Sequence, residues 1–280
     1  VTVTSAGAAA AAPIQHALGG SRVLIDNVIG DVTVVVSPGA QGVQISATGD
    51  DRFTSLLSFS QNGDRAEIRM GDLSYNSDEN LQTLRLTVTV APGTDLAIDD
   101  LIGNAEIGDL RAPVAIDAVA GRITIGTVTT ASLESSGSAD IQVTEATGSL
   151  SIDTSGSGEV KVGKAGATSI TISGSGDAEI GTVTGGLGID ISGSADVDVQ
   201  SVNGPTAISV AGSGEIYIAS GRADPFAADI SGGGSVTFGG TAVNPQISSS
   251  GSADICLAAA EGTIQSDGDI TISPTACKRS

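Results

Sequence analysis

The stretch Gly156-Ser157-Gly158-Glu159-Val160-Lys161-Val162-Gly163-Lys164 decides the fold, once its nature is settled. Taken alone, Gly158, Gly163 and Lys164 have the G-x-x-x-x-G-K spacing of a phosphate-binding loop. Such a loop needs Ser or Thr after the lysine to reach Mg²⁺, and a helix leading out. Here Ala165 follows, and then Gly166-Ala167-Thr168-Ser169-Ile170-Thr171-Ile172, a β-branched, glycine-broken run with the chemistry of a strand. The phosphate reading fails on both counts.

The same phrase recurs along the chain. Gly137-Ser138-Ala139-Asp140-Ile141, Gly156-Ser157-Gly158-Glu159-Val160 and Gly174-Ser175-Gly176-Asp177-Ala178 are followed by versions beginning at Gly193, Gly212, Gly232 and Gly251. Their first glycines are 19, 18, 19, 19, 20 and 19 residues apart. So even a period is the mark of stacked repeats, and the motif becomes a corner. Within one repeat, Leu150 and Ile152 face one way while Ser151 and Asp153 face the other; after the corner, Val160 and Val162 point in while Glu159 and Lys161 point out. The pattern predicts an all-β chain, a right-handed parallel β-helix with about 19 residues per coil. The corner glycines are expected to supply positive φ where a Cβ would clash.

Three regions follow from where the period holds. Residues 1–20 read as an N-terminal arm or linker, residues 21–97 as a less regular β region, and residues 98–280 as the regular β-helix with a C-terminal disulfide cap. In the middle region, Gln61-Asn62-Gly63-Asp64 reads as a hairpin turn between Leu56–Ser60 and Ala66–Met70. In the arm, Val1-Thr2-Val3-Thr4 alternates like a strand and is a candidate assembly element that would add to a sheet edge of its own molecule or of a neighbour.

Composition narrows the function classes. The net charge of −20 and a pI near 4.1 disfavour nucleic acid and anionic membrane surfaces, which attract basic patches. Between Ile123 and Cys277, 17 acidic residues face only Lys161, Lys164 and Arg222. No apolar run reaches the roughly 18 residues of a membrane-spanning helix. The sequence starts at Val1 with no signal peptide in view, which fits a processed, exported protein. Cys256 and Cys277 stand 21 residues apart, near one repeat, and strands on neighbouring coils lie about 4.8 Å apart, within the Cα window of a disulfide. A disulfide is the favoured reading, with free thiols or a metal pair as the alternatives; it would place the protein in the periplasm or outside the cell.

The repeated G-S-[GA]-[DE]-[VIA] corner with its I-x-[VI] strands resembles the autotransporter adhesin head family, the GIN-domain or DUF2807 group of bacterial exported proteins. Val23-Leu24-Ile25-Asp26-Asn27-Val28-Ile29-Gly30-Asp31-Val32-Thr33-Val34 is similar to that family's opening strand pair, and the likeness runs from about Ser21 to Leu257. The resemblance implies an exported right-handed parallel β-helix and carries over no catalytic residues.

Candidate chemistry lies in the acids. The corner residues Asp140, Glu159, Asp177, Asp196, Glu215 and Asp254 should stack into a ladder broken at Ser235, a candidate site for Ca²⁺ or Mg²⁺, with a solvated acidic face as the competing reading. A second row should run Glu134, Asp153, Thr171, Asp190, Ser209, Asp229 and Ser248. An enzyme, in this fold a polysaccharide lyase, calls for basic residues and aromatic platforms beside the carboxylates. The repeated strands offer Tyr217, Phe238 and Arg222, and the single His16 lies outside them. The expectation is a non-enzymatic exported structural or adhesin-like protein at the bacterial cell surface, with no tightly held cofactor. Its expected partners are itself, in a head-to-tail homo-oligomer or filament, or a surface glycan or protein receptor, and not nucleic acid. A Ca²⁺- or glycan-binding module and a lyase are the alternatives.

Overall fold

The computed structural model describes residues 13–71, 84–275 and 277. It is a β-solenoid of about nine turns at about 19-residue spacing. The cause is visible in one coil: Leu150–Thr154 alternates buried and exposed residues, with Leu150, Ile152 and Thr154 turned in, and Val160–Ala165 buries Val160, Val162 and Ala165. A strand buried on one face can stack indefinitely on copies of itself. Leu150–Thr154 accordingly pairs in parallel with residues 131–135 on one side and 168–172 on the other. Val160–Ala165 likewise sits between residues 141–146 and 178–183.

Two long faces result. The first begins with the hairpin Leu57–Asn62 and Arg65–Met70, continues through Arg22–Asp26 and Asp95–Ile102, and ends at Gln265–Asp267. The second begins at Ile14–Leu18, continues through Val43–Thr48, Leu84–Val90 and Gly30–Val36, and ends at Ile270–Ile272. Between them runs a narrow core of Val, Ile, Leu and Ala. Its large exceptions in the later coils, Phe226 and Phe238, are fully buried and stack at 5.5 Å between ring centroids.

The corners need glycine for two reasons rather than one. Gly193 has φ 148°, within the region L-residues avoid, as expected. Gly174, in the equivalent place, does not; there, a Cβ would collide with the carbonyl oxygen of Gly156 on the preceding coil. Close stacking of backbone on backbone, not positive φ alone, selects the residue.

The N-terminal end is antiparallel. Its hairpin turns at Gly63, as its sequence indicates, with φ 61°. The short helix Asp51–Thr54, whose N-cap Asp50 accepts from the Arg52 amide, buries Phe53 in the core. Part of the expected linker is a strand: Ile14–Leu18 pairs antiparallel with Val43–Thr48, His16 stacks on Phe59 at 4.8 Å, and Gly19 donates its amide to Gln61 at 2.9 Å. The candidate assembly residues Val1, Thr2, Val3 and Thr4 lie outside the described residues.

At the other end Cys256 and Cys277 are joined, with Cα atoms 5.4 Å apart. Cys277 is not the rung neighbour of Cys256, however. That place belongs to Thr271, and the chain turns after Ile272 to bring Cys277 back. Among the described residues no helix is long and apolar enough to cross a membrane.

Candidate binding faces

The corner acids stack as their spacing requires. Asp196 is in register with Glu215, Glu215 with Ser235, and Ser235 with Asp254. Three of the aspartates are occupied with the backbone. Asp140 Oδ1 accepts from the Glu159 amide at 3.2 Å, Asp177 Oδ1 from the Asp196 amide at 3.3 Å, and Asp196 Oδ1 from the Glu215 amide at 3.2 Å. Asn104 begins the series, accepting from the Arg122 amide at 3.0 Å. Each short side chain therefore satisfies a peptide N–H that the corner turns away from the ladder. Arg122 pairs with Asp140 at 3.6 Å and Lys161 with Glu159 at 2.8 Å, so part of the row also has cations beside it. Among the described residues no group of three or more His, Cys, Asp or Glu is placed to hold a metal ion.

The same device recurs on the third side, where Asp109 Oδ1 accepts from the Thr127 amide at 2.7 Å. That backbone bond, with the Thr127 side chain second, holds the Asp109 carboxyl below the usual carboxylate range.

The second acidic row behaves differently. Glu134, Asp153, Thr171, Asp190, Ser209, Asp229 and Ser248 are in register from coil to coil on the first face. The row is also longer than the repeat implies. Ser248 is followed by Asp267, Glu134 is preceded by Asp117, and Asp99 and Asp26 pair in register further back. Asp99 and Asp117 keep the repeat spacing, whereas Asp26 stands 73 residues before its rung neighbour Asp99 and falls outside the period. Asp26 pairs with Arg69. Among the described residues, Asp99, Asp117, Glu134, Asp153, Asp190, Asp229 and Asp267 have no ion pair. The crowding is felt: Asp99 is pushed above the ordinary carboxylate value by burial, and then by the charges of Asp26, Asp100 and Asp117.

Beside this row lies a column of small side chains. Ala97, Ala115, Ser132, Ser151, Ser169, Gly188, Ala207 and Ala227 are rung neighbours in that order, continued by Gln246 and Gln265. The missing side-chain volume leaves a trench along the solenoid axis. One depression of about 560 Å³ ends at Ser151, and a groove of about 730 Å³ continues from Ser169 to Asp267.

The other residues singled out from the sequence are placed apart from this trench. Arg222 pairs with Glu261 at 2.9 Å, His16 belongs to the N-terminal end, and the Phe238 ring is enclosed in the core where no ligand reaches it.

A comparison with solved structures finds several similar chains. A "putative adhesin" from Parabacteroides merdae ATCC 43184 is 14% identical with a TM-score of 0.42, covering 92% of this chain and 96% of that one. A "putative adhesin" from Parabacteroides distasonis ATCC 8503 is 16% identical with a TM-score of 0.41, covering 91% and 96%. A "putative lipid binding protein" from the same organism is 12% identical with a TM-score of 0.36, covering 93% and 96%. No curated protein matches the chain. The family model described as "Putative auto-transporter adhesin, head GIN domain" matches residues 27–205 and 187–276, and the chain belongs to that family, DUF2807.

Proposed function

We propose that the protein is an exported, adhesin-like protein that presents its long solenoid at the bacterial cell surface and binds through a face rather than through a single pocket. The observation that carries the reading is the in-register row of acids and hydroxyls along the first face, in a chain whose family is described as an adhesin head. Rows of equivalent side chains offer many weak, equivalent contacts, which suits attachment by multivalency. The disulfide fits an oxidising compartment. The test is surface labelling of intact cells that produce the protein, together with an attachment assay of a deletion strain. Labelling of intact cells and weaker attachment on deletion are expected; protein found only in the cytoplasm would overturn the reading.

Head-to-tail self-association is a second reading, favoured by the unequal ends. The N-terminal end is covered by antiparallel strands and Phe53, whereas the last coil exposes Ile264 and Ile272 at 44% and 43%. Exposed edge strands with apolar side chains are templates for pairing. Sedimentation velocity over a hundredfold concentration range should show growing polymers, and a single monomeric species throughout would exclude them.

A further inference from the structure

We infer that the trench on the first face docks an extended cationic peptide segment of a partner protein, with basic side chains at every third residue. The inference rests on the adhesive reading above and names the partner class for it.

Three observations converge. First, the floor of Gly188, Ala207 and Ala227 is set below its flanks, and the groove there runs from Ser169 to Asp267. Strands stack about 4.8 Å apart, so the groove from Ser169 to Gln265 is roughly 24 Å long. Its shape calls for a linear ligand lying along the axis. Second, the groove from Ser169 to Asp267 is lined by Asp190, Asp229 and Asp267, which have no ion pair among the described residues, whereas the corner residues Asp140, Asp177 and Asp196 are tied to amides and Asp140 and Glu159 to Arg122 and Lys161. The groove lining thus carries three carboxylates and no cation, and charge complementarity selects a cation-bearing partner. Third, the acids there have a definite step. Asp190, Asp229 and Asp267 recur at every second coil, with Ser209 and Ser248 between them, so the charges stand about 9.6 Å apart. A polyproline-II peptide repeats its side-chain direction every three residues, which is about 9.3 Å. Lysine or arginine at every third position would meet each aspartate in turn.

The trench lining contains no aromatic ring, so the stacking contact that sugar rings favour is lacking there. Its floor amides are spent in the parallel ladder, and recognition falls to side chains rather than to strand addition.

The test uses the full chain and a fluorescein-labelled (Lys-Pro-Pro)₄ peptide, with binding read by anisotropy at low salt. Its isomer of the same composition, four lysines followed by eight prolines, is the register control. The spaced peptide is expected to bind more tightly than the blocked one, and added NaCl should weaken it. The triple variant Asp190→Asn, Asp229→Asn, Asp267→Asn should lose about tenfold in affinity, the sum of three exposed charge pairs. Charge-matched changes elsewhere, Glu106→Gln, Glu215→Gln and Asp254→Asn together, should leave affinity unchanged. Filling the floor with Ala207→Gln and Ala227→Gln should weaken binding at constant charge. Circular dichroism melts confirm that each variant is folded before it is scored.

Equal losses in the two charge variants would reduce the effect to net charge and overturn the inference, as would equal affinity for both peptides or no binding at all. Displacement of the peptide by millimolar Ca²⁺ beyond NaCl of the same ionic strength would make the row a divalent-cation site instead. Tighter binding of a neutral β-linked glucan hexasaccharide than of the spaced peptide would make it a glycan groove. Failure of peptide binding by a protein still displayed and still needed for attachment removes this inference alone; absence from the surface removes the adhesive reading and leaves the measured trench affinity standing.

Discussion

Asp99 and Asp109 carry the same side chain into opposite surroundings. Asp109 is held below the usual carboxylate value by the Thr127 amide, so its bond adds stability above the unfolded pKa, and that stability is lost as pH falls through the lower, folded value. Asp99 is raised by burial and neighbouring acids, so it favours the folded state when protonated, and that contribution is lost as pH rises through its raised value. Asp99→Asn should therefore raise the urea midpoint at pH 7, with the gain disappearing below about pH 4, where the unfolded carboxyl is itself protonated. A gain that persists unchanged at pH 3.5 would contradict the assignment. At the corner, Asp177→Asn keeps the oxygen that accepts from the Asp196 amide, whereas Asp177→Ala removes it. The alanine variant should lose about 1 kcal/mol and the asparagine variant almost nothing. Gly174→Val should cost more than about 3 kcal/mol, because its Cβ meets the Gly156 carbonyl of the coil before. Matching denaturation curves for Gly174→Val and Asp177→Asn would refute the stacking explanation.

At the scale of elements, the disulfide and the hairpin were legible, and the N-terminal strand was not. A two-cysteine spacing near the repeat implies a bridge, and Gln61-Asn62-Gly63-Asp64 between apolar runs implies a hairpin, because local chemistry fixes both. Ile14–Leu18 is strand only through its partners. Ile14 and Leu18 pack against the core, His16 lies on Phe59, and five residues with no alternation of their own take their register from Val43–Thr48. The corner acids were visible as a row but not as acceptors, since a backbone N–H turned toward an aspartate leaves no mark in sequence. Asp26 was not legible as a member of the other row for a topological reason. Arg22–Asp26 and Asp95–Ile102 are adjacent in space and some 70 residues apart in the chain. Cutting the disulfide by Cys256→Ser with Cys277→Ser should destabilise by about 3 kcal/mol, the loop entropy of some 20 residues. No change in the denaturant midpoint would mean the C-terminal turn is already ordered without it.

For the whole molecule, charge and register act together. A net charge of −20 on a solenoid makes added salt stabilising by screening alone. With Asp140, Asp177 and Asp196 bonded to amides, millimolar CaCl₂ should raise Tm no more than NaCl of equal ionic strength. A rise of many degrees specific to Ca²⁺ would assign the row a metal after all. Both the acidic row and the trench exist only because each coil is stacked in register on the last. Pulsed electron–electron distances between spin labels test this most directly, at Ser132 paired in turn with Ser169 and with Gln265. These positions are two and seven coils apart in the aligned column. The stacking predicts backbone separations of about 10 and 34 Å, growing linearly with coil number. A longer pair that is no farther apart than the shorter, or a broad distribution without a maximum near 34 Å, would contradict the solenoid and the binding face built on it.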